Sequence, residues 1–367
     1  LKTQRYRFFN HQFELRSDHQ ETLTLMDTMF RRFAVTDKRN SGDICRYEAV
    51  TQADGRAVIR TREQNFPLDS PTLLPSLAHG LILRNTLAQV SSHVLFHAAS
   101  LSYQGQGIIL AADSGCGKTT LALALVRQGF QFLSDEVAAL AFPTGELAPY
   151  PRCLWVRAGT YQLFEQCGWE MPTHWTATEM SKRVAIHLSS ELLGKNCRPG
   201  QLIILQRPDA GDERMCRITL NSMPQRLLTS LQKIGIQPES IPGETLKLPC
   251  FQTEEKHLNT IHETCERHGV FLLNIDETAV GSNYFENTPK LQEISKLTAA
   301  FALLRSFIGS YRSEFIQQHC QGTAVGLIEP LVKILAPVKC YQLTPGRLDH
   351  SVEIIHALCQ PEKERCA

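Results

Sequence analysis

An α/β fold is predicted by three features of this 367-residue chain. First, the apolar run Gly107-Ile-Ile-Leu-Ala111 passes through a glycine-rich turn into a helix-like run, Thr119–Arg127. Second, the short apolar segments Val94–Ser102, Phe130–Leu133, Leu154–Arg157 and Gln201–Leu205 have the length of buried strands. Third, helical patterns follow them at Leu220–Ile234, Pro289–Ser310 and Gly346–Leu358. The expected architecture is a P-loop core over 76–235, preceded by a small α+β module over 1–75. A mostly helical C-terminal region, 236–367, completes the core, with an insertion at 208–290.

Composition excludes several classes. The hydrophobic fraction of 43% and charged fraction of 20% are those of a globular protein. Lys+Arg of 38 against Asp+Glu of 37 gives a net charge of +1. No global field therefore favours nucleic acid or an anionic membrane. The longest apolar candidate, Leu297–Ile308, contains Arg305 and is too short to span a bilayer. Lys2, Arg5, Arg7, His11, Glu14 and Arg16 break up the first apolar stretches, so no signal peptide is expected. The 12 cysteines include no Cys-x-x-Cys pair, which argues for reduced thiols and a cytoplasmic location.

The elements follow in order. Tyr6–Phe9, Gln12–Leu15, Tyr47–Val50 and Ala57–Arg60 alternate as strands, and Asp54-Gly55 is a hairpin signal. Leu23, Leu25, Met26, Met29 and Phe30 mark an amphipathic helix over Glu21–Phe33. Residues 76–90 read as a helix leading into Val94–Ser102, and Gln104-Gly-Gln-Gly107 turns the chain into the next strand. The helix after Lys118 ends at Gly129, a fitting C-terminal glycine. Phe130–Leu133 then closes on Ser134-Asp135-Glu136. Val338–Leu343 is a last strand before the final helix.

The chemistry lies in Ala112-Asp-Ser-Gly-Cys-Gly-Lys-Thr119. Strand, glycine-rich turn, Lys-Thr and helix form the context of a phosphate-binding (Walker A) loop. Gly115 and Gly117 can adopt angles that turn successive N–H groups inward, toward phosphate oxygens. The helix N-terminus adds partial positive charge. Lys118 can neutralise β/γ-phosphates, and the Thr119 hydroxyl can ligate Mg²⁺. The strict motif begins with Gly, where this chain has Ala112. Asp113, Ser114, Gly115, Cys116, Gly117, Lys118, Thr119 and Thr120 are the candidate nucleotide-binding residues. Cys116 sits where a helix N-terminus would lower a thiol pKa.

Asp135 and Glu136 end the strand after the P-loop helix. In a parallel sheet that end faces the ligand crevice. One carboxylate there can serve Mg²⁺, and the other can orient or deprotonate an attacking hydroxyl. His97 lies one hairpin before the loop. Arg152, Arg157, Lys182 and Arg207 are candidates to contact phosphate or an acidic substrate.

The run from His97 through Ala112–Thr119 to Leu133-Ser-Asp-Glu136 resembles the HPr kinase/phosphorylase catalytic domain. That family carries a His on the preceding strand, a Gly-Asp-Ser-Gly-x-Gly-Lys-Ser loop and an Asp-Asp pair. Here Thr119 stands for the Ser and Glu136 for the second Asp. Pro151-Arg152…Arg157 and Val338–Asp349 are similar to segments of HPr-kinase-related proteins. The resemblance implies an ATP- and Mg²⁺-dependent kinase acting on a serine or threonine hydroxyl of a peptide or protein. A ribosomally made precursor peptide is one such acceptor. It implies Asp135 as the base with His97 nearby, Lys118 on the phosphates, and Thr119 with Glu136 on the metal. A homo-oligomer is compatible with it. The glycine-rich signature that true members carry after the acidic pair, for phosphorylase activity, is absent. Two alternatives stay open: a kinase of free serine or a similar small alcohol, and a nucleotide-dependent regulatory module without transfer.

Overall fold

The computed structural model describes residues 1–35, 44–112, 115–170, 174–175, 183–206, 215–220, 223–238, 249–254, 257–268, 270, 272–277, 287–309 and 313–360. The chain divides into two units. One comprises Leu1–Pro208 with Tyr284–Ala367, the other Asp209–Asn283.

The larger unit is organised on a six-stranded mixed sheet. Its order is Lys290–Glu293, Lys339–Thr344, Arg198–Leu205, Gln106–Ala112, Ala98–Tyr103 and Gln131–Ser134. Arg198–Leu205 runs parallel to both of its neighbours, and the remaining pairs are antiparallel. Alternate residues of the central strand enter different cores. Ile108 and Leu110 pack with Leu121, Leu123 and Leu125 of helix Lys118–Arg127 and with Val352 and Ile355 of helix Leu348–Cys359. Ile109 and Ala111 pack on the opposite face with Ala299, Leu303, Phe315 and Leu331 of three further helices. Cover on both faces explains why this strand reads as an unbroken apolar run.

Several expectations change. The sheet is mixed, with antiparallel Ala98–Tyr103 between the loop strand and Gln131–Ser134. The expected strand Val94–Ser102 breaks at His97. His93–Phe96 pairs with Ala138–Ala141 in a separate three-stranded sheet, and Ala98–Tyr103 joins the large one. The apolar pattern over Pro289–Ser310 holds an edge strand, Lys290–Glu293, before its helix, Lys296–Arg305. The region read as mostly helical thus supplies two strands to the main sheet.

The N-terminal module is a five-stranded sheet in chain order, with helices Gln20–Phe30 and Leu74–Ala88 in contact with each other. Helix Leu74–Ala88, read from sequence as leading into the core, packs on this sheet instead. Its half-buried His79 stacks on Phe30, with ring centroids 5.4 Å apart.

In the smaller unit, Met215–Leu220 pairs antiparallel with Cys250–Glu254 and Leu272–Glu277. Leu227 and Leu231 of helix Gln225–Lys233 and Ile261 of helix Leu258–Arg267 pack on Ile218, Leu220 and Phe251. Among the described residues no helix is long and apolar enough to cross a membrane. The cysteines among them are free thiols.

Candidate functional site

Strand register brings the separated motifs to one rim of the sheet. Ala98 faces Ala111, Ser100 faces Ser134, and Leu205 faces Ala112. Two antiparallel steps restore the original direction, so Gln131–Ser134 ends on the same side as the loop strand. His97 precedes its strand on that rim, and Asp135 follows its own. The carboxylates therefore reach the crevice from two strands away.

The loop has the expected backbone where it is described. Gly115 (φ 70°) and Gly117 (φ 82°) are left-handed, a region that disfavours side chains. Gly117 caps the helix, and its carbonyl accepts from Leu121 N at 2.9 Å. Buried Lys118 folds back over the loop, its Nζ donating to the Ala112 carbonyl at 2.9 Å. Cys116 is 4% exposed and packs into the core beneath the loop, so its side chain does not face a ligand. Thr120, grouped above with the nucleotide-binding residues, is also turned inward: its hydroxyl is 2.8 Å from that of buried Thr160. Asp113, Ser114, Lys182 and Arg207 lie outside the described residues. Arg157 is exposed at the end of its strand.

Past Ser134 the chain bends, with Ser134 Oγ accepting from Glu136 N (3.3 Å) and Val137 N (2.9 Å). Consecutive residues leaving a strand point to opposite sides, and the two carboxylates find different partners. Asp135 Oδ2 lies 3.5 Å from Thr119 Oγ1, at the limit of a hydrogen bond. Glu136 Oε1 is 3.1 Å from Arg152 Nη2, and Oε2 is 3.3 Å from His97 Nδ1. The resemblance implied Thr119 with Glu136 on the metal; the side-chain contacts that form are different ones. Thr119 meets Asp135, and Glu136 joins His97 to Arg152.

Electrostatics separates the groups further. Asp135 is 2% exposed, and its Oδ1 has no hydrogen-bond partner among the described residues. Burial pushes its carboxyl up, and the Glu136 charge pushes it further, to about 7, against the pull of Arg152. Burial lowers His97; Glu136 pulls it partly back, while Lys118 and Arg152 add to the depression. The imidazole is therefore neutral at pH 7, with 45% of the side chain exposed. Burial opposes the Arg152 charge, but Glu136 and Asp135 more than offset it and keep the guanidinium ionised.

Among the described residues no three His, Cys, Asp or Glu side chains cluster as a ready-made metal site. A cation held beside a phosphate needs less than that. One hydroxyl and one carboxylate suffice, with phosphate and water oxygens completing the shell. Thr119 and Asp135 form such a hard-oxygen pair, and the partnerless Oδ1 is a buried acceptor that a cation would satisfy. The residues present fit Mg²⁺.

Sequence reading missed Tyr150 and His79, which lie behind Arg152. Tyr150 is buried and His79 half-buried, and the Tyr150 hydroxyl and His79 Nε2 are sealed from solvent with no hydrogen-bond partner among the described residues. Burial and then the Arg152 charge lower His79 to about 3. An unfolded His binds its proton near pH 6.5. Between that pH and about 3 the unfolded chain holds the extra proton, so stability falls as pH falls. His79→Leu removes this term. Urea unfolding should show the wild type losing about 2 kcal/mol more than the variant between pH 7 and pH 5. Parallel losses would place the charge elsewhere.

No family model matches the chain, and no curated protein matches it. Among solved structures it is similar to the Hpr(Ser) kinase/phosphatase from Coxiella burnetii. The TM-score is 0.21 and the identity 18%, over 33% of this chain and 68% of that one. A likeness of that size adds nothing to the geometry, on which the functional reading stands.

Proposed function

We propose that the chain is an ATP- and Mg²⁺-dependent phosphotransferase that moves a γ-phosphoryl group to an alcohol, specifically a serine or threonine hydroxyl of a peptide or protein. One observation carries the reading: the phosphate loop, the Thr119–Asp135 pair and the His97–Glu136–Arg152 chain share one sheet rim. A bare nucleotide-binding module has no need of the third group. The acceptor class rests on the motif resemblance alone, and a ribosomally made precursor peptide is the acceptor it favours.

The loop amides and Lys118 bind phosphate oxygens, which requires the Lys118 ammonium to leave the Ala112 carbonyl. Thr119 and Asp135 would hold Mg²⁺; when bound, the ion neutralises charge on the phosphates. With Asp135 assigned to the cation, the proton falls to the more exposed His97. An Nδ1–H facing the Glu136 carboxylate leaves the ring lone pair on Nε2, oriented by an anchored carboxylate. The acceptor oxygen bonds to the γ-phosphorus, the bond to the bridging oxygen breaks, and the hydroxyl proton passes to His97.

Incubating the protein with ATP, Mg²⁺ and an equimolar set of serine peptides and free serine tests this by mass spectrometry. The expected result is a gain of about 80 Da on a peptide, abolished by EDTA. Phosphoserine formed only from free serine would replace the peptide acceptor. ATP binding without transfer to any acceptor would overturn the reading.

A further inference from the structure

The N-terminal module is packed against the segment that carries Arg152. Tyr150 is fully buried, and its ring is enclosed by three aromatic residues of the module. Ring centroids lie at 4.8 Å for Phe33, 5.2 Å for Phe8 and 5.8 Å for Phe9. Phe9 holds its place at a cost, for its φ of 53° is left-handed, a region bulky residues rarely adopt. That turn sets the Phe9 ring between Tyr150 and His93, 4.2 Å from the latter. Backbone bonds add to the seam. Cys153 N donates to Met29 O of the module at 3.3 Å, and Tyr150 N donates to Leu133 O at 2.9 Å. Arg152 N in turn donates to Tyr150 O at 2.9 Å.

Arg152 is therefore flanked on both sides by residues pinned to the module, while its guanidinium grips Glu136. On the other side Tyr150 is tied to Leu133, two residues before Asp135. The buried Arg152 guanidinium has few alternative positions, and the Glu136 side chain is 36% exposed, so a displaced Arg152 would free the carboxylate that faces His97 to swing toward solvent.

We infer that the N-terminal module positions the Glu136 carboxylate, with Tyr150 as the positioning residue that transmits the fit through Arg152. The module is then part of the catalytic apparatus, and whatever shifts it changes turnover before it changes nucleotide binding. The effect on turnover rests on the phosphotransfer reading; the mechanical link does not.

Two measurements on the full chain separate these. A double-mutant cycle in urea pairs Phe33→Leu, in the module, with Glu136→Gln, in the core. The unfolding constant of the double variant should differ at least fivefold from the product of the single effects. Phe13→Leu is the control. Phe13 packs on Tyr6, Phe8, Phe30 and Tyr47 in the same aromatic cluster and not on Tyr150. Its cycle with Glu136→Gln should be multiplicative. Multiplicative behaviour in both cycles, or equal coupling in both, would overturn the inference.

The second measurement is kinetic. Tyr150→Leu should lower kcat at least tenfold, leave KM for ATP within twofold, and be rescued by Tyr150→Phe, which keeps the ring. An equal loss of kcat in Phe13→Leu, or none in Tyr150→Leu, would reduce the module to a structural support and overturn the inference. If the wild type transfers phosphate to nothing, the functional reading falls and the unfolding cycle alone decides the link.

Discussion

Asp135→Asn is expected to raise the Mg²⁺ concentration for half-maximal transfer by about tenfold or more, and to stabilise the Mg²⁺-free protein at neutral pH. Both effects have one cause. The Asp135 side chain is sealed from solvent, with one oxygen lacking a partner among the described residues and the other 3.5 Å from Thr119 Oγ1. Burial and the Glu136 charge raise its pKa to about 7. A group whose folded pKa lies above its unfolded value stabilises the fold at low pH, and that contribution is lost as pH rises through the folded pKa. Wild-type stability should therefore decline between about pH 4 and pH 7, and the Asn variant should lack this decline. Mg²⁺ should restore the wild type and do little for the variant. Urea unfolding at pH 5 and pH 8, with and without Mg²⁺, measures this, and a Mg²⁺ titration of transfer measures the affinity. Lost transfer with unchanged Mg²⁺ dependence would return Asp135 to the role of base.

The strand, glycine-rich turn and helix were legible because their signals are local. An apolar strand, two glycines at the positions that prove left-handed, Lys-Thr and an apolar helix all lie within about two dozen residues. His97 and the acidic pair were legible as neighbours of the loop, though by reasoning that the structure amends. A purely parallel sheet would have set Gln131–Ser134 beside the loop strand. In fact Ala98–Tyr103 separates them, and the antiparallel double step happens to preserve the polarity. Which carboxylate meets Thr119 was not legible at all. Sequence adjacency makes Asp135 and Glu136 interchangeable, and Ser134 and Arg152 distinguish them: one bends the chain, the other captures Glu136.

The seam with the N-terminal module was hidden for a different reason. Pro149-Tyr-Pro-Arg152 has no periodicity and reads as a loop between strands. The importance of Tyr150 comes from rings more than a hundred residues earlier in the chain. The one available signal was the density of aromatics in the module, Phe8, Phe9, Phe13, Phe30 and Phe33, which exceeds what a small sheet needs to fill its own core. Thr120 is a case in which the side chain's direction was not legible: its hydroxyl turns toward Thr160, which leaves only its backbone N–H for a phosphate.

His97→Gln should cut transfer by about 10²-fold or more while leaving ATP and Mg²⁺ affinity within twofold, the behaviour of a general base. His97 is half exposed on the rim, and Nδ1 is fixed 3.3 Å from Glu136 Oε2. A base works only when neutral, so the acid limb of kcat/KM should follow the His97 pKa. Burial, Lys118 and Arg152 place that pKa below the ordinary 6.5 despite the pull of Glu136. The limb should therefore lie below pH 6.5 in the wild type. Removing the Glu136 charge takes away the largest influence that raises it and leaves a backbone hydrogen bond at Glu136. Glu136→Gln should accordingly move the limb to still lower pH while lowering kcat, because the ring loses its anchor. This sign separates the two candidate bases. If Asp135 took the proton, the limb would sit near its own value of about 7 and would survive in the residual activity of His97→Gln.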